Sequence, residues 1–305
     1  ARARRETVDL PYRYDREYDD RRLSATLGHE GDNHSVHLSG SRFRQDFVTG
    51  YPGFDHGYRF GEVGYDQLEA VYTRFGDSHW LTGGAEFQRQ DLDYQFNNYT
   101  GGALDSTVEV KRHIDTVSFY VQDEIWLMDE RLVLVPGARY EDHSVFGGEF
   151  NPKLAASLRT GEATTWRASV GRAFKSPTIR QLYYEGLYRH GDYYVESNPD
   201  LRPETAINVN FSVERQWGYP GLWTSAGLFQ TNLRNKVVRA STGRIAPDGV
   251  PIDSFINVEQ ARVRGFELSL RAGGATGFSF SADAAWIDAE NRDTGRDLPY
   301  VPNYT

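Results

Sequence analysis

The sequence predicts an all-β chain, an antiparallel transmembrane β-barrel segment of about twelve strands. Three observations lead there. Apolar and polar residues alternate with a period of two through segment after segment. The connections alternate between short turns and longer loops. Many segments run well beyond the five or six residues usual in soluble sheets.

Taken in order, Leu23, Ala25 and Leu27 oppose Ser24, Thr26 and Gly28. Val117, Phe119, Val121, Ile125 and Leu127 alternate with Ser118, Tyr120, Gln122 and Glu124, with Asp123 as the exception. Leu132, Leu134, Ala138 and Tyr140 oppose Gly137, Arg139, Glu141 and His143. Ile207, Val209, Phe211 and Val213 alternate with Asn208, Asn210, Ser212 and Glu214, and Phe278, Phe280, Ala282, Ala284 and Trp286 with Ser279, Ser281 and Asp283. Each reads as a strand with one apolar and one polar face. The expected strands lie near 22–30, 34–48, 60–75, 79–97, 112–127, 131–145, 150–160, 164–175, 206–217, 221–236, 254–272 and 277–290, and a thirteenth begins at Tyr300. Ile125, Met128 and Leu132 have helical spacing, but alternation on both sides places a turn at Met128–Arg131 instead. Short turns fall at 31–33, 76–78, 128–131, 161–163, 218–221 and 273–275. Longer loops are expected near 49–59, 98–111, 176–205, 237–253 and 291–299, and the link at 146–149 breaks the rule by being short.

Composition narrows the function. The 305 residues are 39% hydrophobic and carry a formal net charge of −9. The longest apolar run, Leu132–Ala138, is far short of the roughly 20 residues of a spanning helix. An acidic chain without a basic cluster does not read as a nucleic-acid binder. Absence of cysteine excludes disulfides and thiolate metal sites. No signal peptide precedes Ala1, so the expectation is a processed or partial chain. No metalloprotease, P-loop or dinucleotide motif occurs, and Arg167–Gly171 lacks the first glycine of a nucleophile elbow, so no enzyme and no catalytic residue is expected.

In lipid every backbone N–H and C=O must pair within the protein, so a spanning sheet closes on itself, with its apolar face to lipid and its polar face to the lumen. One strand strains this pattern. Phe266, Leu268 and Leu270 share a face, and the same register places Arg264 and Arg262 on the lipid side. Either a bulge near Gly265 resets the register, or these arginines lie beyond the bilayer.

The stretch Val170–Tyr184, with Phe174, Lys175, Pro177 and Thr178, followed by Asn198-Pro-Asp-Leu-Arg-Pro-Glu-Thr205, resembles the paired boxes of TonB-dependent outer-membrane receptors, with Ser176 in place of the commoner Ala. Tyr120–Ile125, Leu134–Tyr140, Asn257–Leu268 and Tyr300-Val-Pro-Asn303 resemble the same family, over roughly residues 115–305. The resemblance implies a 22-stranded barrel around an N-terminal plug. It implies uptake of a metal chelate (siderophore, haem or cobalamin) across the bacterial outer membrane, driven by an inner-membrane TonB-type energy-coupling protein. No plug precedes these strands, so residues 1–305 read as a central barrel segment, with the plug and the coupling motif on an N-terminal part that this sequence lacks. A small passive porin of about twelve strands and a secreted, soluble carbohydrate-binding β-protein are the alternatives. Three glycosylation-type triplets, at Asn33, Asn98 and Asn303, a pattern that occurs often by chance, are all that keeps the second open.

The loop 176–205 is the richest candidate site. Tyr183, Tyr184, Tyr188, His190, Tyr193 and Tyr194 would stack on a planar chelate if the loop faces outside; an interfacial aromatic girdle is the plainer reading. The resemblance also suggests His190 as an axial haem ligand, neutral imidazole suiting iron. The boxes themselves read as structural, through Pro177, Pro199 and Pro203. Gln122, Glu124, Arg139, Glu141, Arg167, Glu214, Glu267 and Arg271 are expected in the lumen, against a plug or paired across strands. Asp91, Asp93, Asn97 and Asn98 offer oxygens to a Ca²⁺ ion, but their spacing is loose and solvated loop residues explain them better; no metal site and no cofactor is assigned.

Overall fold

The computed structural model describes residues 2–8, 14–50, 58–100, 103–190, 192–218, 221–273 and 277–298. In chain order these form β1 (Arg2–Val8), β2 (Tyr14–Glu30), β3 (His34–Gly50), β4 (Tyr58–Phe75), β5 (His79–Thr100), β6 (Ala103–Leu127), β7 (Leu132–His143), β8 (Gly147–Thr160) and β9 (Thr164–Lys175). Then come α1 (Ile179–Tyr183), β10 (Tyr188–His190), β11 (Tyr193–Glu196), β12 (Glu204–Gln216), β13 (Trp223–Ile245), β14 (Pro251–Gly273), β15 (Ser279–Asn291) and β16 (Arg296–Asp297). One sheet holds all the strands, with neighbours in the order β1 to β9, β12, β13, β14. The second edge of β14 pairs with β15 along Ala261–Gly273 and, nearer its start, with β11 in parallel along Ile252–Ser254. Among the described residues β1 hydrogen-bonds to β2 alone, so the described sheet is an open wall.

The twelve expected strands are β2 to β9 and β12 to β15. Two expected long loops are corrected. Residues 98–111 and 237–253 are mostly strand: β5 pairs β6 up to Thr100–Ala103, and β13 pairs β14 up to Ile245–Pro251, each across one register shift. The alternation of Val108, Val110 and Ile114 with Glu109, Lys111 and His113 carries the ladder upward. The expected thirteenth strand at Tyr300 lies outside the described residues.

The short turns use backbone that only some residues tolerate. Met128, Asp129 and Glu130 all have positive φ (57°, 54° and 62°) between β6 and β7. At Gly221 (φ 73°) a Cβ would sit 1.5 Å from the Gly273 carbonyl oxygen, which requires glycine where the β13 and β15 turns meet.

Register assigns every wall residue to one of two faces. Leu27, Leu38, Leu68, Phe87, Phe119, Tyr140, Phe150, Val170, Phe211, Leu228, Phe266 and Trp286, all exposed but for half-buried neighbours between them, share one face from β2 to β15. This is the lipid face. Ion pairs bound it. On β6, Asp115 holds Arg89 (2.7 Å) and Asp123 holds His79 (3.2 Å). The eight-residue step between those aspartates is about 26 Å along the strand, about 20 Å after a tilt of roughly 40°. The step from His79 to Arg89 on β5 gives about 25 Å, the height of an outer-membrane apolar band. Asp123, the exception to the alternation, is therefore a boundary residue at the short-turn end. Arg264 and Arg262 keep the register of Phe266 without a bulge and pair with Asp288 (2.8 Å) and Glu290 (2.7 Å) above the band. The second of the two expectations holds: they lie beyond the bilayer.

Candidate functional site: a tyrosine-rich strap across the mouth

The segment 176–203 leaves β9 and returns at β12, and the two sequence boxes supply its fastenings. Thr178 caps α1: its Oγ1 accepts from the Gln181 N–H (3.3 Å), and Gln181 Oε1 accepts from the Thr178 N–H (2.9 Å). This reciprocal pair satisfies two of the helix's orphan donors. In the second box, Asn198 Oδ1 accepts from the Asp200 N–H (2.9 Å), and Asn198 Nδ2 donates to the Phe255 carbonyl (2.8 Å). Asn257 clamps the Arg202 backbone: Arg202 N–H donates to Asn257 Oδ1 (2.8 Å) and Asn257 Nδ2 donates back to the Arg202 carbonyl (2.9 Å). The boxes are structural, as expected, and the Asn257 stretch is their receptor.

Between the fastenings the strap crosses from one part of the wall to another. Glu185 bridges Glu109 on β6, while β11 extends β14. Under it, the lumenal face of β5 and β6 changes character. Residues of one parity are polar within the bilayer, as at Glu86, Gln88 and Gln90, and become Leu92, Tyr94 and Phe96 above it. These pack with Phe47, Val108, Val110, Ile114, Ile179, Tyr188 and Val195 in one buried cluster. Burial there is where this chain obtains a hydrophobic core, since its other apolar face meets lipid.

The six expected ligand contacts divide. Tyr184 and Tyr188 belong to the cluster, with ring centroids 5.1 Å from Tyr94 and 5.3 Å from Phe96 respectively. Burial raises the pKa of Tyr94, with the Tyr184 phenol adding to it, and burial likewise raises that of Tyr184. Tyr183 and Tyr193, half-buried like Tyr184, pack against the same cluster from the rim, and Tyr194 is half-buried. The Arg112 guanidinium stands 5.8 Å over Tyr183, Arg239 stands 4.3 Å over Tyr193 and also donates to its phenol oxygen, and Tyr194 donates to Asp248 (3.0 Å). Arg180 over Tyr94 (5.4 Å) and Arg59 over Tyr188 (4.3 Å) complete a run of cation–aromatic contacts. The backbone of His190 pairs with Tyr193 at the same rim; its side chain lies outside the described set. The sequence reading missed Tyr94, Phe96 and Arg112, which lie inside the expected strands 79–97 and 112–127, and Arg239 in the expected loop 237–253; the apolar run of Leu92, Tyr94 and Phe96 on the lumen parity was the available signal.

The expected lumen residues all fall on the face opposite the lipid belt. Arg139 binds buried Glu86, Glu141 (3.5 Å) and the Ser118 hydroxyl (2.8 Å), and Gln67 donates to Glu86 (2.5 Å). Arg167 pairs with Glu214 (2.6 Å), and Arg271 lies 5.1 Å over Trp223. Arg139, Glu141, Arg167 and Glu214 are therefore paired across the wall. The oxygens considered for calcium are also committed: Asp93 holds Lys111 (2.7 Å), Asp91 faces Arg44 (3.5 Å), and Asn97 accepts from Gln95 (2.9 Å).

Three comparisons bear on this arrangement. The family profile described as "TonB dependent receptor-like, beta-barrel" matches residues 2–305. Among curated proteins, the ferric enterobactin receptor of Pseudomonas aeruginosa is 28% identical over 75% of this chain and 34% of its own length. The ferrienterobactin receptor of Escherichia coli K12 is 29% identical over 74% of the chain and 33% of its own length. The chain thus spans about a third of the curated relatives it matches. In fold, it resembles the crystal structure of a G324V mutant of the Pseudomonas aeruginosa ferric enterobactin receptor (TM-score 0.64, 19% identity, 96% of this chain and 54% of that one). It also resembles a copper transporter, OprC (TM-score 0.72, 14% identity, 95% and 48%).

Proposed function

Because the chain belongs to the TonB-dependent receptor family, as part of an outer-membrane β-barrel, we propose that it forms the ligand-admitting wall of a receptor for an anionic metal chelate, a ferric siderophore above all. The observation that carries this reading is the rim, where Tyr183 and Tyr193 each meet a guanidinium at the mouth of a polar lumen. Aromatic faces take the planar rings of a chelate, and Arg112 and Arg239, paired with Glu185 (3.7 Å) and Asp253 (3.3 Å), offer their remaining N–H groups to its anionic oxygens. Tyr183, Tyr193, Tyr194 and His190 are the proposed contacts, while Tyr184 and Tyr188 hold the strap in place. The lumenal residues around Arg139, Glu86 and Arg167 face a plug in the whole protein, and an inner-membrane TonB-type complex supplies the energy for passage.

The test uses the full-length receptor and iron-limited cells. Tryptophan fluorescence is titrated with ferric catecholate and hydroxamate chelates, haemin and cobalamin. Saturable quenching by a ferric siderophore is expected, weakened about tenfold or more in Arg112→Ala/Arg239→Ala, where two charge-assisted contacts are lost. Absence of binding by every ferric chelate, with unchanged iron accumulation on deletion of the receptor, would sink the proposal. Haemin binding with a Soret shift abolished by His190→Ala would replace the siderophore by haem.

A further inference from the structure

The lipid-facing side carries a second cationic feature that the uptake reading does not use. Just above the apolar band, where β12, β13 and β14 meet the end of β15, a cavity of about 460 Å³ opens on the outward face, with Arg172, Arg234, Arg262 and Arg292 in its lining. Register brings them together. Arg234 pairs with Gln260, whose carbonyl accepts from the Arg292 N–H (3.0 Å), so the three lie side by side on adjacent strands, about 10 Å across. Asn232, Arg262 and Glu290 form the next row. Beneath them come Arg264 with Asp288, then Phe266, Leu228 and Trp286 of the lipid belt. Two to four residues above Arg264, Arg262 and the row of Arg234, Gln260 and Arg292 lie roughly 5–10 Å beyond the boundary that the Arg264–Asp288 pair marks.

Charge in this cavity is not balanced. Elsewhere at this height Arg42 and Arg44 share Asp66, Arg89 holds Asp115 and Lys111 holds Asp93. Here Arg172 is matched by Glu149 (2.6 Å) and Arg262 by Glu290 (2.7 Å), but among the described residues Arg234 and Arg292 have no carboxylate partner. Asp293, the other nearby acid, accepts the Gln260 N–H (2.9 Å) and forms no ion pair with either arginine among the described residues, so the cavity retains a net positive charge. The Arg262 Nε is buried without a hydrogen-bond partner. A cavity with two uncompensated guanidiniums and an orphan N–H asks for a compact, multiply charged anion with several acceptor oxygens. Long loops of such barrels face outward and short turns inward, so the cavity opens at the headgroup level of the outer leaflet.

We propose that this cavity binds the phosphate monoester of an outer-leaflet lipid, its acyl chains lying on the belt below. The shared chemistry, a phosphate dianion, also exists free in solution, and the test separates the two. Full-length receptor is reconstituted into phosphatidylcholine nanodiscs with or without phosphatidic acid, stripped with detergent, and the retained lipid read by native mass spectrometry. Retention of phosphatidic acid over phosphatidylcholine is expected, lowered about tenfold or more in Arg234→Gln/Arg292→Gln and unchanged in the belt-rim control Arg42→Gln/Lys111→Gln. Equal retention of both lipids by the wild-type receptor overturns the proposal, whether or not the variant folds. So does unchanged retention in the folded double variant. Displacement of phosphatidic acid by inorganic phosphate at matched concentration overturns the lipid in favour of the free ion.

Discussion

Replacement of Leu182 by Ala tests whether the strap is held by packing or merely tethered at its ends. Leu182 is 1% exposed on α1, a helix of five residues. So short a helix has no stability of its own in water, so tertiary packing must hold it. Removing three buried side-chain carbons costs about 3 kcal/mol when the cavity does not collapse. If that cost falls on local undocking of the strap, the open population rises roughly 10²-fold. The assay is limited trypsin digestion of the folded receptor, following cleavage after Arg180 and Arg189. Where opening is fast relative to cleavage, the rate tracks the open population, and it should rise by a similar factor. Cleavage after Arg244, on the β13–β14 hairpin, should not change. An unchanged rate at Arg180 would refute the packing argument, and an equal rise at Arg244 would show that the barrel, not the strap, had loosened.

Other consequences follow from the same geometry. Tyr94 and Tyr184 have raised pKa values from burial, so the docked strap binds more protons than the undocked one above pH of about 10; its stability is complete below that pH and falls as pH rises further. Absorbance titration at 295 nm should show late-ionising phenols in the wild-type receptor, fewer of them in Tyr94→Phe, and ionisation of all tyrosines near pH 10 would contradict it. Arg139→Met strands the carboxylate of Glu86, whose side chain is 6% exposed, and should destabilise the barrel by about 3–5 kcal/mol; the paired change Arg139→Met/Glu86→Leu should recover much of that in urea unfolding. Glu130→Gly relieves one left-handed residue in the β6–β7 turn and should raise stability by up to about 1 kcal/mol; a loss would mean that the side chain contributes more than its backbone costs.

The wall was legible because its rule is local. Two-residue alternation needs only neighbours, and it locates twelve strands and their short-turn ends to within a few residues, the turn at Met128 included. The strap was legible as a place but not as a structure. α1, β10 and β11 are too short to show a period, and their packing depends on Tyr94 and Phe96, some ninety residues earlier. Polar composition hid the upper ends of β2, β6 and β13: above the bilayer both faces of a hairpin tolerate charge, so Glu109, Lys111 and Arg239 read as loop. The gathering of Tyr183, Tyr184, Tyr188 and Tyr193 on one cluster, and the meeting of Arg234, Arg262 and Arg292, are products of register between distant segments.

The parity that sorts the faces does not by itself say what a face does. On β5 the same side of the strand carries Glu86, buried against Arg139 within the bilayer, and Tyr94, buried under the strap above it. On β14 the same side carries Phe266 in lipid and Arg262 in the cationic cavity. Each switch occurs where the medium beside the strand changes, from lipid to headgroup or from lumen to protein. Height along the strand is therefore a second coordinate, and the rows of ion pairs are its ruler. Arg89–Asp115 and Arg264–Asp288 mark one level and His79–Asp123 the other. An arginine on the lipid parity above that upper row contradicts nothing in a membrane wall. Two left outside any ion pair there among the described residues, beside Arg172, Arg262 and Arg264 that each have a carboxylate, point to an anion supplied from outside the chain.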